Sequence, residues 1–102
     1  MTVEISENKQ HLIDKLTDVI RTHLHPKKIL LFGSRATGRD KSYSDFDIAV
    51  EGVEINIRKE RLVKEALDRR LGIFTVDLIY LDSADKDFKD LVLKTGKVLY
   101  EQ

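Results

Sequence analysis

The chain predicts an α/β fold, a short mixed β-sheet packed with helices in one domain spanning residues 1–102. Three observations carry that expectation. Apolar residues recur at helical spacing in three segments. Short apolar runs of strand length lie between them, and proline or glycine marks most of the joins. The resulting order, α-β-β-α-β-α with a further short strand, fits helices layered on a sheet.

Leu12, Ile13, Leu16, Val19, Ile20 and Leu24 define an amphipathic helix over roughly Glu7 to Leu24, with Ser6 placed as its N-cap. His25-Pro26 ends it, because proline disfavours helical backbone in the residue before it. Lys28 to Phe32 is the first strand. Gly33 to Ser44 is loop with room for one helical turn, and Phe46 to Val50 is the second strand, closed by Gly52. The short join between these two strands favours an antiparallel pair, since a parallel return normally needs a crossover helix. Arg58 to Leu71 is the second helix. Its apolar face is Leu62, Val63, Ala66, Leu67 and Leu71, and Gly72 is its C-cap. Thr75 to Leu81 is the third strand. Asp85 to Thr95 is a third helix with Phe88, Leu91 and Val92 inward, and Val98 to Tyr100 is a short edge strand.

Bulk properties narrow the function classes. The 102 residues suffice for one modest core. A hydrophobic content of 41% beside 35% charged residues places the chain among globular rather than disordered sequences. No apolar run approaches the ~20 residues of a membrane span. The N-terminus lacks the pattern of a signal peptide, so a cytoplasmic location is expected. With no cysteine, thiolate chemistry and thiolate metal sites are excluded. The 18 basic and 18 acidic residues cancel, whereas a nonspecific nucleic-acid binder carries a basic excess, so no direct nucleic-acid binding is expected.

One constellation carries chemistry: Gly33-Ser34, ten residues, then Asp45-Phe46-Asp47. Side chains alternate across a strand, so Asp45 and Asp47 share one face and Phe46 and Ile48 take the other. Carboxylates about 7 Å apart along the backbone can converge on cations. The plainer alternative is an exposed acidic strand end, with Asp45 capping the loop at Ser44. Asp77 lies within Val76-Asp77-Leu78-Ile79, where a carboxylate is costly to bury unless it is paired or metal-bound. Its alternative is a salt bridge to Arg35, Arg58 or a lysine. Asp82, after the strand, looks like a turn or helix cap. Gly33 allows close backbone approach to a phosphate, and Ser34 offers a hydroxyl and an amide. Arg35 and Arg39 are placed either to reach phosphates or to lie in solvent. The three histidines show no spacing that converges with the carboxylates and are expected to face solvent.

The Gly33-Ser34-x10-Asp45-x-Asp47 pattern, followed by Asp77 on a later strand, resembles the minimal nucleotidyltransferases of the DNA polymerase beta-like superfamily, over Lys27 to Tyr100. The resemblance implies the polymerase beta-like nucleotidyltransferase fold. It implies Mg²⁺-dependent transfer of a nucleoside monophosphate to a hydroxyl, with ATP as substrate and two Mg²⁺ ions held by Asp45, Asp47 and Asp77. Asp77 would also help accept the proton of the attacking hydroxyl. Gly33, Ser34, Arg35 and Ser44 would contact the nucleotide. Family members acting on antibiotics or RNA carry an extra domain for the acceptor, and this chain ends soon after the core. Small members of this kind are similar to antitoxins that transfer AMP to a tyrosine of a HEPN-domain RNase toxin. The implied partner is therefore a HEPN toxin in a hetero-oligomer, with Val98, Leu99, Tyr100 and the helix from Asp85 as contact candidates. Two other readings remain open: a stand-alone transferase acting on a small molecule, and a non-catalytic module that neutralises a toxin by contact.

Overall fold

The computed structural model describes residues 7–33 and 45–102. Along the chain these form α1 (Glu7–Leu24), β1 (Lys28–Phe32), β2 (Phe46–Glu51), α2 (Ile57–Leu71), β3 (Val76–Tyr80), a 3₁₀ turn at Leu81–Ser83, α3 (Lys86–Thr95) and β4 (Lys97–Glu101). The strands make one sheet in the order β3-β2-β1-β4. β1 pairs antiparallel with both β2 and β4, while β2 and β3 run parallel. The sheet is therefore mixed, as expected. The parallel pair is the one joined through a helix, α2.

The two sheet faces are packed differently. On one, Phe46, Ile48, Val50 and Ile29 meet Ile13, Leu16 and Ile20 of α1 and Val63 and Leu67 of α2. On the other, Leu30, Phe32, Ala49 and Leu81 meet Val92 of α3, with Phe88 and Leu93 packed alongside. Phe88 stands edge-on to Phe32, their ring centres 6.0 Å apart. Fully burying side chains of this size contributes roughly 1.5–3 kcal/mol each. The apolar stripe of α2 is narrower than expected. Val63, Leu67 and Leu71 are buried at i, i+4, i+8, but Leu62 lies beside the stripe and is 50% exposed.

Helix ends follow local chemistry. Asn56 caps α2, its side-chain oxygen accepting from the Lys59 amide at 3.1 Å. That cap starts the helix one residue earlier than expected. Gly72, at φ 64°, closes it, its backbone N–H donating a hydrogen bond to the Asp68 carbonyl. Asp85 is the N-cap of α3 rather than its first residue, accepting from the Phe88 amide. β3 is one residue shorter at each end than expected, and β4 one residue longer at each end. His23 bonds the Val19 carbonyl from within α1 and is half-buried, whereas His11 and His25 face solvent as expected.

Asp82 does sit in a turn, but it holds a different segment. Its Oδ2 accepts from the amides of Gly52 (2.6 Å) and Val53 (3.1 Å), and its Oδ1 lies 3.6 Å from the Lys89 ammonium. Partial burial pushes its carboxyl upward. The two amides and Lys89 outweigh that effect and hold it below its ordinary value. A folded-state value below the unfolded one stabilises the protein above the ordinary carboxylate range near ~4, and this contribution is lost as pH falls through the lowered value. Asp82→Ala is therefore expected to destabilise the protein modestly at neutral pH. The difference from wild type should shrink below pH ~4, measured by denaturant unfolding at both pH values. An equal difference at both would show that charge plays no part.

Candidate active site

β1 ends at Phe32, Gly33 follows exposed to solvent, and Asp45 immediately precedes β2. This sheet end carries the candidate residues that fall within the described part of the chain. Phe32 is the register partner of Asp47 across β1 and β2, and Asp47 is the register partner of Asp77 across β2 and β3. Register partners on neighbouring strands point to the same side. The alternation argued from sequence holds on both strands. Phe46 and Ile48 belong to the core under α1 and α2, and Val76 and Leu78 pack against that same core. Asp47 and Asp77 share the opposite face with Ala49 and Ile79.

Asp47 is the one buried charged residue among the described residues, at 8% exposure, while Asp77 is half-buried. Neighbouring strands run about 5 Å apart, so two in-register carboxylates repel unless positive charge or hydrogen-bond donors reach them. Both residues have interaction partners.

Asp45 takes a different position from its neighbours. Its Oδ2 accepts from the Thr75 amide at 2.9 Å and from the Thr75 hydroxyl at 3.4 Å. In return the Asp45 amide donates to the Thr75 carbonyl at 3.0 Å and to the Thr75 hydroxyl oxygen at 3.1 Å. Sequence reading missed Thr75. Its signal was faint: a hydroxyl residue two positions before Asp77, on the same side of that strand. Ser34, Arg35, Arg39 and Ser44 lie outside the described residues, as does Ser6. A Cβ at Gly33 would meet nothing within 4 Å among the described residues.

Among the described residues no group of three acidic or histidine side chains is gathered as a ready metal cage. The donor set still suits magnesium. Mg²⁺ prefers oxygen ligands and is commonly held by one or two carboxylates together with substrate phosphates and water. No helix among the described residues is long and apolar enough to cross a membrane.

The mixed sheet, with in-register aspartates at the end where Gly33 follows β1, agrees with a nucleotidyltransferase fold. The chain belongs to the polymerase beta nucleotidyltransferase family, whose model matches residues 14–102. It is 36% identical over 86 residues to the protein adenylyltransferase MntA of Aphanizomenon flos-aquae, an alignment covering 74% of this chain and 57% of that protein. The chain thus spans little more than half the length of that relative. Two crystal structures share the fold. A toxin–antitoxin complex with AMP-PNP matches at a TM-score of 0.66 and 28% identity, covering 88% of this chain and 73% of its own. A tri-AMPylated Shewanella oneidensis HEPN toxin bound to its MNT antitoxin matches at 0.68 and 28%, covering 91% and 72%.

Proposed function

We propose that the chain transfers AMP from ATP to a hydroxyl, a tyrosine's, on a partner HEPN RNase toxin, and so acts as its antitoxin. The observation that carries this reading is the in-register pair Asp47 and Asp77 beside Asp45, at the sheet end where Gly33 leaves β1. The similar complexes supply the partner class: one holds AMP-PNP, another an AMPylated HEPN toxin.

In the reaction the acceptor oxygen bonds the α-phosphorus of ATP, the bond from that phosphorus to the bridging oxygen breaks, and pyrophosphate departs. Asp77 takes the proton that the acceptor hydroxyl loses. Asp45, Asp47 and Asp77 would hold Mg²⁺, two ions by family pattern, with Asp45 keeping its bond to Thr75. Bound Mg²⁺ supplies charge neutralisation on the phosphates and acidification of the acceptor hydroxyl. The backbone at Gly33 and the Ser34 hydroxyl receive phosphate oxygens, Arg35 the charge of the leaving group, and Ser44 the nucleotide beside Asp45. The contact surface for the toxin includes α3 and β4. In β4, Val98 is 44% exposed, while Leu99 and Tyr100 pack against the core.

The test is intact-mass spectrometry of a HEPN toxin after incubation with the chain, Mg²⁺ and ATP. A gain of one or more AMP units is expected, and none when Mg²⁺ is chelated. Toxin neutralised with no mass gain would replace this reading with neutralisation by contact. Transfer to small hydroxyl compounds without the toxin would replace it with a stand-alone transferase.

A further inference from the structure

We propose that Thr75 is a positioning residue that sets the orientation of the Asp45 carboxylate for an incoming metal–nucleotide complex. This inference rests on the proposed transferase reading of the site.

The four hydrogen bonds between the two residues form a reciprocal clasp across 30 positions of sequence. The clasp is larger than strand pairing demands. The main-chain bonds from Asp45 and Phe46 to the Thr75 carbonyl already start the pairing of β2 with β3. The side chains add a second layer that fixes one named oxygen, Oδ2. Both residues are exposed, so water would satisfy these groups if the clasp were absent. Exposed hydrogen bonds add little net stability, and ordering two side chains carries an entropic cost. What the clasp does supply is a single carboxylate geometry. The adjacent Phe74 ring leans on Phe46 at 6.4 Å, which steadies the segment bearing Thr75.

A carboxylate that ligates a metal is commonly held by a hydrogen bond to its second oxygen, and loss of such support weakens metal affinity by roughly 10–100-fold. Thr75 stands where that support is needed. It is one residue before β3 and two before Asp77, so one short segment carries both the third carboxylate and the holder of the first.

Thr75→Val keeps the branched shape and the main-chain amide but removes the hydroxyl. Binding of Mn²⁺ in the presence of AMP-PNP, followed by electron paramagnetic resonance of free Mn²⁺, should weaken about tenfold in this variant. The melting temperature without ligand should stay at the wild-type value. Thr75→Ser should bind as wild type. In toxin AMPylation the Mg²⁺ requirement should rise by a similar factor, with the rate at saturating Mg²⁺ nearly kept. Equal Mn²⁺ binding by wild type and Thr75→Val would overturn the role of Thr75 and leave the proposed function standing. Failure of serine to restore binding would assign the effect to packing and overturn it as well. Absence of Mn²⁺ binding by wild type would overturn the transferase site itself, and the role of Thr75 with it.

Discussion

Asp47→Asn is expected to slow AMP transfer by on the order of a thousandfold while leaving the fold intact. Asn has nearly the same shape, so the packing of β2 is kept. It removes the charge at the centre of the row Phe32, Asp47, Asp77. The proposed reaction places little covalent work on the protein, and its rate would depend on charge held in fixed positions, so loss of one central carboxylate would fall almost wholly on the rate. The melting temperature should stay near the wild-type value, since the shape of the side chain is kept. Toxin mass over time gives the rate, and a thermal scan gives the stability. A variant within tenfold of the wild-type rate would remove Asp47 from the machinery.

One residue further on, Ile48→Ala should have the opposite signature. Ile48 is fully buried between the sheet and the two helices α1 and α2. Truncation removes buried methyl groups and leaves a cavity that the neighbouring strands cannot close. The expected cost is about 2–5 kcal/mol. Against a total stability of roughly 5–15 kcal/mol for a typical domain, that is a large share. Denaturant unfolding should show the loss, while the folded fraction should still transfer AMP at close to the wild-type rate. A cost under about 1 kcal/mol would mean that the core repacks around the site.

These two neighbours also show what was legible before any coordinates. Strand alternation alone separates Asp47 from Ile48, and that division of faces is a local rule, so it held. The three helices were legible for the same reason, since their stripes repeat within a few residues. Leu62 marks the limit. It has the right character and nearly the right spacing, but the width of an apolar stripe depends on how closely α2 meets α1, which no local pattern records. Asn56 was a missed local signal, a capping residue in plain view ahead of Lys59. The turn at Asp82 was legible but its partners were not, and Thr75 was missed, for another reason. Each acts on a segment about thirty positions away, on Gly52 and Val53 in one case and on Asp45 in the other. Register between distant strands follows from the whole fold, and the partners of a turn residue follow from register.

The parallel pairing of β2 with β3 has a consequence for how the protein comes into being. The strand carrying Asp47 and the strand carrying Asp77 are separated by the whole of α2. The antiparallel β1–β2 contact closes a shorter stretch of chain. Closing the longer loop costs more chain entropy, and contacts between distant residues form slowly. The step that joins the two strands also brings two negative charges side by side. On loop-closure grounds the β2–β3 pairing is expected to form after the β1–β2 pairing. A chain in which β2 and β3 have not yet paired lacks the side-by-side aspartates of the candidate site.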